Sequence, residues 1–339
     1  MLPAILGLSG TELSAEERAF FAEVQPLGFI LFGRNIEDKT QLRALTDSLR
    51  ELTGRAALPI LIDQEGGRVA RLTPPEWNLW PPAQDFARAH RHNPELALRA
   101  ALCNYQALAL ELAQVGVSVD CAPVLDVPVS GAHDIIGDRA YGGDPQVIAD
   151  FGQTVRDGFQ EAGLVSVIKH LPGHGRAGAD SHETLPRVTA SGEELARDLL
   201  PFQRHRTAPM AMTAHIVYDA WDPERCATLS PSVIADIIRG SIDFDGLLMS
   251  DDLDMKALTG SIPERGLRAV QAGCDVALNC WGRMEDMRGL ATLLPTASPD
   301  CHRRLEQAMA TWRPCPDDAA QRQRSLVAER DRCLATCHR

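Results

Sequence analysis

Short apolar runs recur along the whole chain, and each is followed by a segment with a different, helical spacing of apolar residues. Short, mostly apolar runs are typical of strands buried on both faces of a parallel sheet. The pattern therefore predicts eight buried strands. They begin at residues 3 (PAILGL), 27 (LGFILF), 58 (LPILID), 117 (VSVDCAPVLDV), 165 (VSVIKH), 210 (MAMTAHI), 246 (GLLMSDD) and 274 (CDVALN).

The segments between the runs predict amphipathic helices, because their apolar residues recur three and four positions apart. Ser14 followed by Glu17 resembles a capping box at a helix start, and Gly163 and Gly273 stand where helices should end. The clearest of these predicted helices cover residues 14–24, 38–52, 95–114, 145–163 and 263–273.

The alternation of strand and helix predicts parallel strands with right-handed crossovers. Eight such units favour the α/β class and a closed single-domain (β/α)8 TIM barrel over residues 1–313. An open doubly wound sheet is the alternative, but its usual GxGxxG turn is absent from the first turn, 6-LGLSGTEL. The more polar segment 314–339 predicts a C-terminal tail with one helix, packed on the outside, whose charges form a solvated face.

Composition narrows the class of protein. The length of 339 residues suits one barrel, and the aromatic share of 5% implies a mostly aliphatic core. A net charge of −12 without a basic run argues against a nucleic-acid partner. No apolar stretch approaches the roughly 20 residues of a membrane span, and nine cysteines without a CxxC pair favour reduced thiols. We expect a soluble, monomeric, cytoplasmic protein without a cofactor or a metal.

Polar residues gather at the C-terminal ends of the predicted strands. In a barrel these ends form one face, which is where active sites lie. The sequence therefore predicts that separate strands deliver polar side chains into one pocket. The residues concerned are Arg34, Asp63, Asp126, Lys169, His170, His215, Asp251 and Asn279.

The segment 169-KHLPGHGRAGADSHETLP is rich in candidate chemistry. Its proline and glycines exclude a continuous helix, so it predicts a long loop over the barrel mouth. Asp180 and His182 are spaced so that the carboxylate can orient the imidazole, which can give and take a proton near neutrality. The alternative is that Asp180 caps a turn and His182 is solvated. The nearby Lys169 and His170 favour a functional role.

Asp251 follows the seventh run in 248-LMSDDLDM and is expected to point into the barrel mouth. Such a carboxylate can attack an anomeric carbon or stabilise an oxocarbenium ion. The alternative, a helix cap, is stronger for Asp252 than for Asp251. Asp63 in 63-DQEGGRVAR and Arg139 in 136-IGDRAYG suit a polyhydroxylated ligand, although either segment alone fits an ordinary charged turn.

Seven segments together resemble glycoside hydrolase family 3, and specifically its bacterial β-N-acetylglucosaminidases of peptidoglycan recycling. The histidine motif is the most specific of them, with Leu171 where phenylalanine is usual. The segments are 30-ILFGRN, 63-DQEGGRVAR, 122-APVLDV, 136-IGDRAYG, 169-KHLPGHG with 180-DSH, 214-AHIVY and 250-SDDLDM.

The resemblance implies roles for particular residues. Asp251 would be the nucleophile of a retaining double displacement, and His182 the general acid/base with Asp180 as its partner. His174 would shape the loop. The substrates would be muropeptides in which N-acetylglucosamine is linked to anhydro-N-acetylmuramic acid. The residues that would bind the non-reducing N-acetylglucosamine are Asp63, Arg71, Arg139, Lys169 and His170.

The sequence leaves three alternatives open. A metal-dependent hydrolase would use His170, His174, Asp180 and His182 as ligands, although 171-LPG breaks the helix that would align them. A sugar-binding protein without activity would need only the binding residues. Phosphorolysis is the third, because neutral His182 would tolerate an anionic acceptor better than a carboxylate would.

Overall fold

The computed structural model describes residues 1–337, and a barrel of eight parallel strands forms its centre. Each strand pairs with the next along the chain, the first pairs with the last, and a parallel bridge between Met249 and Val276 closes the ring. The predicted (β/α)8 barrel is confirmed. The strands are β1 Leu2–Gly7, β2 Pro26–Leu31, β3 Ile60–Ile62, β4 Val119–Asp120, β5 Val165–Leu171, β6 Met210–Thr213, β7 Leu247–Met249 and β8 Ala277–Asn279.

Helices surround the barrel, and all five of the clearest predicted helices are present. Ser14 and Glu17 form the expected capping box, with the Glu17 N–H donating to the Ser14 hydroxyl over 3.1 Å. A π-helical segment, Val233–Ser241, stands between β6 and β7. The α-helices are α1 Ala15–Val24, α2 Lys39–Thr53, α3 Ala83–His90, α4 Pro94–Gln114, α5 Pro145–Glu161, α6 Gly192–Arg204, α7 Ile262–Ala272, α8 Met284–Leu293, α9 Pro299–Met309 and α10 Ala319–Cys337.

The core has two layers, one inside the barrel and one between the strands and the helices. Residues from α9, such as Leu305 and Met309, pack on the inner layer and close the end opposite the strand C-termini. This inner layer is mostly aliphatic, as the composition predicts. Its members from the strands include Ile5, Ile30, Leu61, Val119, Val165, Val167, Met210, Met212, Leu247, Met249 and Leu278.

A small three-stranded sheet was not expected from the sequence. It consists of Arg187–Val188, Val217–Tyr218 and Asp222–Cys226, and a separate apolar cluster that includes Val188 and Tyr218 packs around it. Two of the strands have only two residues, which is too short for a periodic pattern to be read. The hydroxyl of Tyr218 donates to the carbonyl of Gly173 over 2.7 Å, so the sheet supports the loop that follows β5.

The C-terminal segment forms α10, which packs against α4. The expectation that its charges are all solvated is wrong for Arg330, which is 8% exposed and donates to Asn104 over 3.1 Å. Residues 338 and 339 of the predicted tail lie outside the described residues, and the boundary at 313 stays a prediction. Among residues 1–337, no helix is both long and apolar enough to cross a membrane.

Candidate active site

The period of two residues along a strand explains which side chains reach the barrel mouth. In β5, Val165 and Val167 belong to the inner layer, so Lys169 continues the same column at the strand's C-terminal end. In the same way, Asp63 follows Leu61 of β3, and Asp251 follows Met249 of β7. Three strands therefore carry a charged residue into the mouth directly above apolar residues.

The bottom of the mouth is a layer of paired charges that we call the charged floor, comprising Asp63, Glu65, Arg71, Arg139 and Lys169. The ammonium of Lys169 lies 3.0 Å from Asp63 and 2.6 Å from Glu65. Arg71 pairs with Asp63 over 3.0 Å, and Arg139 holds Glu65 with two bonds of 2.8 Å. Buried charges are tolerated when they are paired and hydrogen-bonded in this way.

The floor keeps its carboxylates ionised. Burial alone would raise the pKa of Asp63, but attraction to Lys169 and Arg71 outweighs burial and holds it below its ordinary range. Arg139 and Lys169 likewise lower the pKa of Glu65 to about 2 against the effect of burial. The floor therefore presents fixed charges, which suit the several hydroxyl groups of a sugar.

Glu65 is a site residue that sequence reasoning missed. It lies in 63-DQEGGRVAR, two residues after Asp63, and its side chain is 6% exposed. Its partner Arg139 is 74 residues away in the chain. The only signal available in the sequence was its spacing of two residues from Asp63.

His170 is held by a buried carboxylate. Its Nδ1 lies 2.7 Å from Asp126, whose other oxygen accepts the backbone N–H groups of His170 and His174 over 3.2 and 2.6 Å. Burial would raise the pKa of Asp126, yet the facing histidines and these hydrogen bonds lower it to about 2. A carboxylate on Nδ1 fixes the plane of the ring, and His170 lines the pocket in that orientation.

Asp251 lies at the end of β7 on the pocket wall. Its Oδ1 accepts the backbone N–H of Asp252 over 2.8 Å, and its own N–H donates to Thr213 over 3.3 Å. Burial would raise its pKa, but attraction to His215 and His170 outweighs burial, and the net pKa is lowered. Asp251 is therefore ionised at neutral pH, as a nucleophile must be.

The two aspartates after Asp251, Asp252 and Asp254, have other partners or another charge state. Asp254 accepts from the amide of Asn279 over 2.7 Å and pairs with Arg283 over 2.5 Å. Burial and the neighbouring charge of Asp254 raise the pKa of Asp252 well above its ordinary range. Asp252 therefore adds little negative charge beside Asp251.

The loop of residues 172–186, called here the histidine loop, carries the expected pair. One oxygen of Asp180 accepts both the backbone N–H and the ring Nδ1–H of His182, each over 2.8 Å. His182 keeps 60% of its side chain exposed and lines the same pocket as Asp251. Burial would raise the pKa of Asp180, but the hydrogen bonds from His182 lower it. The arrangement leaves Nε2 of His182 as the ring nitrogen for proton exchange.

One pocket of about 340 Å³ collects most of the predicted residues. Asp180 stands behind His182 rather than on the wall. The prediction that all polar strand ends point into the pocket is wrong for four residues, which bond to other protein groups and do not line it: Arg34, Asp126, His215 and Asn279. The predicted residues on the pocket wall are Asp63, Arg71, Arg139, Lys169, His170, His182 and Asp251.

The histidines of the site have separate partners rather than a common centre. His170 contacts Asp126, His182 contacts Asp180, and His174 contacts Ser181. Within residues 1–337, no group of three His, Cys, Asp or Glu residues is placed to hold a metal ion. The four ligands of the metal-dependent alternative therefore do not form such a group among these residues.

Comparison with known proteins identifies the family. The glycosyl hydrolase family 3 N-terminal domain matches residues 4–309. A β-hexosaminidase of Alkalilimnicola ehrlichii is 38% identical over 308 residues, which cover 89% of this chain and 87% of that protein. The chain belongs to glycosyl hydrolase family 3. The family predicted from the motifs is confirmed, and so is the prediction of a glycoside hydrolase.

Solved structures of similar proteins agree with the barrel. Native NagZ from Neisseria gonorrhoeae superposes with a TM-score of 0.87 at 30% identity, covering 99% of this chain and 97% of NagZ. NagZ of the same organism in complex with N-trifluoroacetyl-D-glucosamine gives a TM-score of 0.87 at 29% identity, covering 99% and 98%. That ligand is an N-acylated glucosamine bound by the neighbour.

Proposed function

We propose that the protein is a retaining exo-β-N-acetylglucosaminidase. One observation carries the proposal: an ionised carboxylate, Asp251, and a carboxylate-oriented imidazole, His182, line a single pocket. A retaining glycosidase needs a nucleophile and a group that gives and then takes a proton. The β-hexosaminidase names of the relatives support this choice of activity.

In the first step, Asp251 attacks the anomeric carbon while protonated His182 gives its proton to the leaving oxygen. The glycosidic bond breaks and a glycosyl ester forms on Asp251. In the second step, neutral His182 takes a proton from water, whose oxygen attacks the anomeric carbon and releases Asp251. Asp180 stabilises the charged imidazole that is present before the first step and forms again in the second.

The charged floor would bind the sugar at the non-reducing end. Lys169 and Arg71 can donate to hydroxyl groups, while Asp63 and Glu65 can accept from them. His170, oriented by Asp126, would bind the same sugar. Because the floor closes the pocket on one side, a chain end enters more readily than a chain interior, which supports exo action.

The resemblance to enzymes of peptidoglycan recycling supports a natural substrate. We propose muropeptides that carry N-acetylglucosamine linked to anhydro-N-acetylmuramic acid, cleaved by a monomer in the cytoplasm. Neither a metal nor another cofactor takes part in the proposed steps. Water is the proposed acceptor.

The proposal is tested by trapping the glycosyl-enzyme. Purified protein should hydrolyse 4-nitrophenyl N-acetyl-β-glucosaminide, and a 5-fluoro N-acetylglucosaminyl fluoride should leave one sugar mass on Asp251. Asp251→Asn should bind the sugar without adding this mass. Retained activity in Asp251→Asn, or an adduct elsewhere, would overturn the assignment. Formation of N-acetylglucosamine 1-phosphate in phosphate buffer would show that the reaction is phosphorolysis instead of hydrolysis. Loss of activity in the presence of a chelator would indicate that a metal is required.

A further inference from the structure

The histidine loop is pinned at the residue between the two members of the Asp180–His182 pair. Ser181 is 2% exposed, although His182 beside it has 60% of its side chain open to solvent. The hydroxyl of Ser181 lies 3.0 Å from Nε2 of His174. The part of the loop that carries the proton-transfer pair is therefore attached to the protein at a buried point.

His174 connects this point to the barrel. The side chain is buried, and its backbone N–H donates to Asp126 over 2.6 Å. Asp126 is 0% exposed and also holds the ring of His170. A continuous set of hydrogen bonds thus runs from the carboxylate behind the wall to Ser181 in the loop.

The ring of His174 acts as a neutral donor. Burial, together with the charge of His170, lowers its pKa to about 4, so it is uncharged near neutrality. Its Nδ1 is buried and has no hydrogen-bond partner among the described residues. A buried N–H without a partner is rarer than an unused acceptor, so we assign the proton to Nε2, which then donates to Ser181.

The other contacts of the loop either lie far from the Asp180–His182 pair or are weak. Tyr218 bonds to Gly173, and Arg176 pairs with Asp198, both toward the start of the loop. Glu183 pairs with Lys256, but both side chains are more than 60% exposed, and exposed pairs contribute little.

We propose that Ser181 and His174 form a latch that holds Asp180 and His182 over the pocket. Ser181 is then a positioning residue for proton transfer, which rests on the proposed acid/base role of His182. When the latch opens, His182 moves away from the oxygen atom of the leaving group, while the charged floor and Asp251 stay in place. The latch therefore affects the steps that need a proton and spares those that do not.

Leaving-group dependence tests the latch. Phenyl N-acetyl-β-glucosaminide needs a proton on its leaving oxygen, whereas the 2,4-dinitrophenyl glycoside releases a stable anion without one. Ser181→Ala should lower kcat/KM for the phenyl glycoside about tenfold and for the dinitrophenyl glycoside by less than about twofold. Ser181→Thr, which keeps the hydroxyl, should restore the phenyl activity. Thr184→Val removes an exposed hydroxyl from the same loop and should leave both values unchanged.

The outcomes separate the latch from the proposed function. An equal loss on both substrates would mean that Ser181 supports the fold or contacts the sugar, and no loss on either would mean that nothing is latched. Each result overturns the proposal. His182→Ala serves as the reference: if it shows no preference for the dinitrophenyl glycoside, the acid role itself fails. If it shows that preference and Ser181→Ala does not, only the latch fails.

Hydrogen exchange gives a second, independent measurement. Amides of residues 176–185 should exchange faster in Ser181→Ala than in the wild type, while those of β5 should not change. Unchanged exchange in the loop would contradict the latch even if activity fell.

Discussion

The charged floor and the histidine loop meet at one pocket but are built by different means. The floor has Lys169 at the end of a barrel strand, with 3% of its side chain exposed and two carboxylates in contact. The loop places His182 with 60% of its side chain exposed and orients it through Asp180. Under the proposed function, the sugar-binding site is thus preformed by buried charge pairs, whereas proton transfer depends on the position of a surface loop.

Removal of the imidazole of His182 tests the role of the loop. His182→Ala should lower kcat about 10³-fold for a substrate with a poor leaving group, because general acid–base catalysis typically contributes about 10²–10⁴-fold. The thermal midpoint should not change, since the side chain is mostly exposed. Steady-state kinetics and calorimetry of the same preparation check both parts.

The control for this variant lies in the same loop. Glu183→Ala removes an exposed charge next to His182 and should keep most of the activity. A large drop in the melting temperature of His182→Ala would contradict the expectation that the side chain of His182 does not stabilise the fold.

Removal of Lys169, the cation at the centre of the floor, tests the role of the buried charge pairs. Lys169→Met leaves Asp63 and Glu65 without a shared partner, and breaking a buried pair on one side costs about 3–5 kcal/mol. We expect a lower free energy of unfolding, measured with urea, and an increase in KM of about 10²-fold. An unchanged unfolding curve would show that the floor does not stabilise the fold.

A surface lysine provides the matched control. Lys256→Met removes a cation from an exposed pair with Glu183 and should change the free energy of unfolding by less than about 1 kcal/mol. If the two lysine variants behaved alike, burial of the floor would not explain its effect.

The charged residues that follow the strands were easier to predict than the contacts of the histidine loop. Asp63, Lys169 and Asp251 extend the apolar columns of three strands, and a period of two residues can be read from the sequence. Glu65 continues this spacing two residues after Asp63, but it lies beyond the end of the strand at Ile62, and its role depends on Arg139, which lies far away in the chain.

A position near a strand end does not by itself show whether a side chain lines the pocket. Arg34 and His215 follow strands as Asp63 does, yet Arg34 bonds to the carbonyl of Leu8 and His215 to that of Asp252. A position within three residues of a strand end is insufficient evidence where the loop turns immediately. The attachment of Ser181 to His174 also depends on how the histidine loop folds back, which no local pattern encodes.

The smallest expected effect concerns acid stability. The pKa of Glu65 is lowered from 4.5 to about 2 in the folded protein, so its contribution to stability is complete above pH 4.5. That contribution is lost as the pH falls toward 2, because the unfolded chain then binds the proton first. Arg139 supplies two of the hydrogen bonds that hold Glu65 ionised.

Arg139→Met should therefore narrow the range of pH over which the protein stays folded. With the guanidinium removed, burial dominates, the pKa of Glu65 rises, and the acid-unfolding midpoint should move upward by about one pH unit. Arg43→Met removes an exposed arginine paired with Asp47 and should leave the midpoint in place. Circular dichroism from pH 7 to pH 2 measures both variants. A midpoint that stayed unchanged in Arg139→Met would mean that Lys169 alone keeps Glu65 ionised, and that the floor does not need the guanidinium of Arg139.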